Sequence, residues 1–208
     1  MINNDNIAQK VTFPRPAEGG RVVGAANLVS TVFSPALVVF YAVILCSYSL
    51  DHSAKFLWTF LFLLLFVLAP TAYIFYLMGQ GKVTDFHISV REERIRPLSV
   101  IFVYSVLSLL LYGFVGGPGA LVTLGYLCLA LTGLWILVSL YWKISGHCAA
   151  IGALGAAVFA HPHEALVFVI PPLALLVAWS RVRLGCHSLA QTLAGLVLGI
   201  AVFWFFLP

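Results

Sequence analysis

Long apolar stretches separated by short polar islands define this chain. Residues 27–50 form the first apolar run, and the polar turn 51–55 ends it. Residues 56–78 form the second. Each is long enough for a bilayer-spanning helix, which needs about 20 residues. Pro35 and Pro70 lie inside these runs, where packed membrane helices tolerate them. From residue 97 to residue 142 there is no charged side chain, and these 46 residues are too long for one span. Gly116-Gly117-Pro118-Gly119 forces a turn there, which predicts helices at 99–115 and 120–141. Residues 148–179 read as a further hairpin with a turn at His161-Pro162-His163-Glu164. Its arms are short, which suits helices with little tilt or with ends buried in protein. A last helix runs over 188–206. The pattern gives seven apolar segments and an all-α fold: a polytopic transmembrane bundle of about six to seven membrane helices.

Composition agrees. Hydrophobic residues make up 62% of the 208 residues, charged residues only 9%, and mean hydropathy is +1.05. Soluble domains carry roughly 25% charged residues. The expected organisation is a polar N-terminal tail, 1–26, followed by one transmembrane domain, 27–208. The tail lacks the apolar core of a signal peptide. A net charge of +4 does not imply nucleic acid, because the cations cluster at helix ends and form no basic stripe with interleaved aromatics. Cys46, Cys128, Cys148 and Cys186 form no C-x-x-C pair and read as small buried hydrophobes.

Three polar islands carry the chemistry: 82–97, 143–147 and 180–187. Two helices separate the first island from the second, and two more separate the second from the third. All three therefore belong on one face of the membrane. Tyr141-Trp142 and Trp179 precede two of them, as interfacial aromatics should. Ionisable groups at such depth are costly and mark function. Arginine offers a planar fork matched to phosphate oxygens. Arg91, Arg94 and Arg96 are spaced so that two of them reach one anion, and Lys143 and Arg181 add cations. Ser145 and Gly146 precede a helix whose first N–H groups suit an anion. His147 and His187 each stand at a helix start, with the chemistry of a nucleophile or a general acid. Gln191 lies four residues after His187, on the same helix face. Its amide oxygen suits the Nδ1 proton of that histidine. Glu92 and Glu93 read as loop partners of the arginines, and no role is assigned to Asp85 or His87. His161, His163 and Glu164 read as a polar turn on the opposite face and not as a metal site, since neighbours on a turn rarely converge on one ion.

Ser145-Gly146-His147 followed by Ser180-Arg181, five residues and His187 resembles the type 2 phosphatidic acid phosphatase superfamily. These membrane lipid phosphatases are related to vanadium haloperoxidases. The resemblance includes Leu184-Gly185 before the histidine and Ala194-Gly195 after it, and covers roughly residues 82–199. It implies that His187 attacks phosphorus to form a phosphohistidine and that His147 protonates the leaving oxygen. Arg181 and arginines of the first island would hold the phosphoryl oxygens. Two positions depart from the family pattern. Arg96-Pro97 fits the end of the first motif, but Ser89 stands where its lysine is usual. Gln191 stands where the third motif ends in aspartate.

The expected protein is thus an integral-membrane phosphatase with active-site loops 79–97, 143–147 and 180–191. Its substrate would be a lipid phosphate or an isoprenoid (di)phosphate presented from the bilayer. Neither metal nor cofactor is implied, and no nucleic acid partner. A lipid phosphotransferase on the same scaffold, or a non-catalytic lipid-phosphate binding or transport protein, are the alternatives. Counting Lys10, Arg15 and Arg21 against Lys55, the positive-inside rule places the active site on the cytoplasmic face of the cell membrane.

Overall fold

A computed structural model describes residues 20–50, 53–88, 90, 92–160 and 164–206. Lys10, Arg15, Ser89, Arg91, His161 and His163 lie outside these residues. The described chain is helical throughout: α1 Arg21–Val32, α2 Pro35–Tyr48, α3 Lys55–Leu63, α4 Ala69–Gly79, α5 Ile95–Phe114, α6 Gly119–Tyr141, α7 Gly146–Ala160, α8 Glu164–Arg183 and α9 Leu189–Phe206. A π-helical bulge, Leu64–Leu68, joins α3 to α4.

Two of the expected helices differ from simple rods, each because of a proline. The first apolar run is broken. It begins at Arg21, inside the stretch read as tail, and α1 and α2 meet at an angle of 49°. Pro35 cannot donate the next helical hydrogen bond, and it opens α2 at the position where its fixed φ suits a helix start. In the second run, Pro70 removes the N–H that would bond to the preceding turn, and the bulge immediately before it absorbs the mismatch. Lys55–Gly79 nevertheless continues as one 25-residue span.

Four helices among the described residues are long and apolar enough to cross a membrane: Lys55–Gly79, Ile95–Phe114, Gly119–Tyr141 and Leu166–Arg183. The bent α1–α2 pair makes a fifth. Apolar side chains such as Leu107, Leu110, Tyr126, Phe168, Leu175 and Val197 are exposed on the outside of this bundle, the pattern of a multi-pass membrane protein. The α7–α8 hairpin corrects the expectation of two short arms. Arg181 and Arg183 belong to the last turn of α8 and not to a loop after it, so α8 reaches spanning length. Cations at a helix C-terminus also complement the macrodipole.

Among the described residues α7 and α9 fall short of spanning length, so fewer helices span than the six to seven expected, and α7 is the buried axis of the bundle. Cys148, Ala149, Ile151, Ala153, Ala156 and Val158 are all buried. Its small residues let α9 approach closely. A Cβ added to Gly199 would lie 2.0 Å from the Ala149 carbonyl oxygen, and one added to Gly195 would lie 2.4 Å from that of Ser145. Four residues apart on one face of α9, these glycines form the small-xxx-small seam of close membrane-helix contacts. The seam fixes the head of α7 against the head of α9.

Candidate active site

The site is assembled at the island-bearing end, and local rules explain how most of its segments arrive. Ser145 is the N-cap of α7: its Oγ accepts the Cys148 N–H at 3.3 Å, and its own N–H bonds to the Gln191 carbonyl at 3.2 Å. The cap leaves Gly146 and His147 in the first turn, lining a cavity of about 200 Å³. α8 ends in Leu184-Gly185, with Gly185 at φ 66°. This left-handed conformation suits glycine. It folds the chain back so that the N–H groups of Cys186 and His187 both reach the Arg181 carbonyl, at 3.1 and 3.3 Å. The histidine is thereby tied to the turn that carries the arginine.

Ser188 and Gln191 form a capping box at the start of α9. Ser188 Oγ accepts the Gln191 N–H at 3.3 Å, and Gln191 Oε1 accepts the Ser188 N–H at 3.1 Å. The same Oε1 lies 3.3 Å from His187 Nδ1. A backbone N–H identifies the facing amide atom as oxygen, so His187 carries its proton on Nδ1 and leaves Nε2 bare. The S-x-x-Q spacing that produces this was present in the sequence and is the signal that gives Gln191 its second role.

The first island enters along a strained path. Ile88 is buried with φ 45°, an uncommon conformation for a β-branched residue. Its carbonyl accepts Arg94 Nε at 2.7 Å, and Arg94 Nη1 reaches the Ile144 carbonyl at 3.3 Å. The guanidinium lies 5.6 Å from the ring centroid of Trp135, which also donates to Ile144. His87 is held by its own N–H on Asp85 Oδ1, and its ring stands edge-on to that of His147 with centroids 4.7 Å apart.

Of the residues singled out from the sequence, His147, His187, Gly146, Arg181 and Arg94 line this same cavity. Lys143 is half-buried beside Arg94 and Arg181. Ser145 is fully buried, and its hydroxyl caps α7 instead of lining the cavity. Arg96 is exposed on the outside of α5 and does not line it. Arg91 lies outside the described residues. Glu93 accepts hydrogen bonds from the Thr84 backbone and hydroxyl. Lining residues that the sequence did not point to include His87, Trp135 and Pro35 at the edge of α2. The first of these carried a signal, a histidine inside an arginine-bearing island. Ser30 of α1 was also missed: it sits behind the cavity wall, against both Arg181 and His147.

Electrostatics favour an anion. Arg94 and Arg181 are 1% and 2% exposed, and no carboxylate lines the cavity among the described residues. Arg181 Nε is buried and has no hydrogen-bond partner. A buried donor left unpaired is costly, and an anionic oxygen relieves it. Burial first, then the charge of Arg181, lowers Arg94 to about 10, still protonated at neutral pH. Burial, then Arg181, Arg94 and Lys143, pushes His187 down to about 3, against a weaker upward pull from Gln191. The ring is therefore neutral at physiological pH, the state in which Nε2 is a nucleophile. Burial and Arg181 also lower His87, opposed by Asp85.

Much of the remaining lining is apolar: Val39 of α2, Phe66 and Val67 of the bulge, Ile74 of α4, and Leu98 and Ile101 of α5. The bulge before Pro70 thus contributes apolar side chains to the same cavity.

No curated protein and no solved structure matches the chain significantly. A family model does match. It covers the stretch from α6 to the C-terminus, with the second and third islands inside it and the first island outside. Residues 129–208 match the model described as the PAP2 superfamily, the family that the histidine motifs resemble.

Proposed function

We propose that the protein is a membrane phosphatase that hydrolyses the phosphate ester or diphosphate of an amphiphile through a phosphohistidine. One observation carries this reading. His187, His147, Arg181 and Arg94, from three polar islands, converge on one cavity whose remaining lining is mostly apolar. A phosphate head suits the cationic residues and a lipid or isoprenoid tail the apolar ones. His187 Nε2 attacks phosphorus, the bond from phosphorus to the leaving oxygen breaks, and His147 gives that oxygen a proton. Water then attacks the phosphohistidine, the P–N bond breaks, and His147 recovers a proton from the water. Arg181 and Arg94 hold the phosphoryl oxygens as their charge shifts, the role that preorganised donors fill in transition-state stabilisation. Gln191 keeps His187 in the attacking tautomer.

The test is phosphate release from a panel of phosphatidate, phosphatidylglycerophosphate and isoprenyl phosphates in detergent. Release from at least one, inhibited by orthovanadate and unaffected by EDTA, is the expected result. Vanadate takes up the trigonal-bipyramidal geometry of phosphoryl transfer. Chelation is expected to have no effect because arginines supply the positive charge a metal gives elsewhere. Activity lost to EDTA and restored by a divalent ion would overturn the mechanism. The orientation that goes with this reading puts the site on the cytoplasmic face of the cell membrane, from Lys10, Arg15 and Arg21 against Lys55.

A second prediction concerns the glutamine. Gln191→Asp is expected to keep or raise the rate, because a carboxylate holds the same tautomer and favours positive charge on the ring. Gln191 is only half-buried, so the added charge stays partly solvated. Gln191→Leu removes the acceptor and half of the capping box, and kcat should fall about tenfold. Steady-state kinetics of the pair check this. Asp performing as poorly as Leu would show that the site requires a neutral partner.

A further inference from the structure

Ser30 lies 117 residues from His147 and 151 from Arg181 in the chain, yet it touches both. It is 2% exposed and belongs to α1, outside the part matched to the family. Arg181 Nη1 donates to Ser30 Oγ. His147 Nε2 lies 3.1 Å from the Ser30 carbonyl and 3.4 Å from the Ser30 hydroxyl.

The carbonyl is available for a reason rooted in sequence. In a continuous helix it would accept the N–H of Ser34. At the α1–α2 break that N–H turns to the Thr31 carbonyl instead, at 3.2 Å, and the next residue, Pro35, has no N–H to offer. The bend therefore exposes an unpaired carbonyl at the height of the head of α7, and a buried carbonyl needs a donor.

An imidazole nitrogen donates or accepts in one direction only, and Nε2 spends that direction on Ser30: its proton goes to the carbonyl, with the hydroxyl oxygen as a second, longer acceptor. The proton exchanged with the leaving oxygen is therefore carried on Nδ1, and Nε2–H stays bonded to Ser30 whether the ring is charged or neutral. Without that partner the buried Nε2–H would carry the cost of an unsatisfied polar group. The ring is also confined by the edge-on contact with His87.

We propose that Ser30 is a positioning residue for His147: the broken α1–α2 helix supplies a carbonyl and a hydroxyl that hold its imidazole in place through both protonation states. This rests on the phosphatase reading above, in which His147 is the proton donor to the leaving group. A poor leaving group depends on that proton far more than a good one does.

The test uses the full-length protein in detergent, with Ser30→Ala and Ser30→Cys, on dodecyl phosphate and p-nitrophenyl phosphate. Alanine deletes the hydroxyl. Cysteine keeps the side-chain volume with a much weaker donor and acceptor, so it separates packing from hydrogen bonding if the alanine variant fails to fold. Both variants are expected to lose about tenfold in kcat on the alkyl phosphate, with a clearly smaller loss on the aryl ester. Wild-type kcat for the cysteine variant on dodecyl phosphate, or equal losses on the two substrates, overturns the assignment. Wild-type protein that releases phosphate from neither ester nor any lipid phosphate overturns the phosphatase reading itself, and this inference with it.

Discussion

His187→Ala is expected to reduce phosphate release by about 10³-fold or more, the scale on which loss of a covalent nucleophile is felt. The neighbouring hydroxyls and thiol are not free to take its place. The Ser145 and Ser188 hydroxyls are engaged as helix caps, and the Cys186 thiol turns to the Leu184 carbonyl at 3.8 Å. The variant should remain folded, because the turn that holds residue 187 is built by backbone N–H groups on the Arg181 carbonyl and by Gly185. Melting in detergent checks that. A covalent intermediate gives a sharper readout than rate alone. Wild-type protein quenched with ³²P-labelled substrate should retain label that is stable in base and released by acid, as a phosphoramidate is, and His187→Ala should retain none. Near-normal turnover in the variant, or base-labile label in the wild type, would show that another group attacks phosphorus.

What the sequence disclosed about this site divides along the reach of each interaction. His147, His187 and Arg181 were legible because their spacing within two short motifs is local, and because counting helices between islands put them on one face. Gln191 was legible as a partner of His187, and its place in a capping box with Ser188 followed from the same four residues. The arginine island was not resolved by sequence. Arg94 and Arg96 are two positions apart, and which of them turns inward depends on where α5 starts. It starts at Ile95, so Arg94 stands at the helix cap facing Ile88 and Ile144, while Arg96 points outward. The strained φ of Ile88 that makes this possible is a product of tertiary packing. Ser30 was hidden for the same reason at longer range. Its role depends on a bend at Pro35 whose angle is set by the rest of the bundle, and on contacts with residues more than a hundred positions away. The all-helical, multi-pass architecture was readable from composition and turns, but of the six to seven membrane helices expected only four, or five with the bent α1–α2 pair, reach spanning length among the described residues. The shortness of α7 had its physical cause in burial on all sides, where helix length is no longer tied to bilayer thickness.

The largest effect expected away from the reacting groups comes from Gly199→Ala. The substitution adds one methyl group, yet its carbon would stand 2.0 Å from the Ala149 carbonyl oxygen and 2.8 Å from the Ala153 nitrogen. Both are backbone atoms of the buried axis α7, so no side chain can swing away and the helices themselves must separate. Overpacking of this kind costs about 1–3 kcal/mol, which thermal melting in detergent should register as a clear drop. Activity should suffer more than stability. The α7–α9 seam sets His147 at the head of one helix against His187 just before the other, and Gly195 repeats the constraint one turn nearer the site. A displacement of about 1 Å between reacting groups is enough for a loss of about 10²-fold. Gly113→Ala serves as the control, since a Cβ there meets nothing within 4 Å; it should leave both melting and kcat unchanged. A Gly199→Ala variant that melts lower but keeps wild-type kcat would mean that the two helix heads are held in register by something other than this seam, with the Ser145–Gln191 backbone bond as the remaining tie between them.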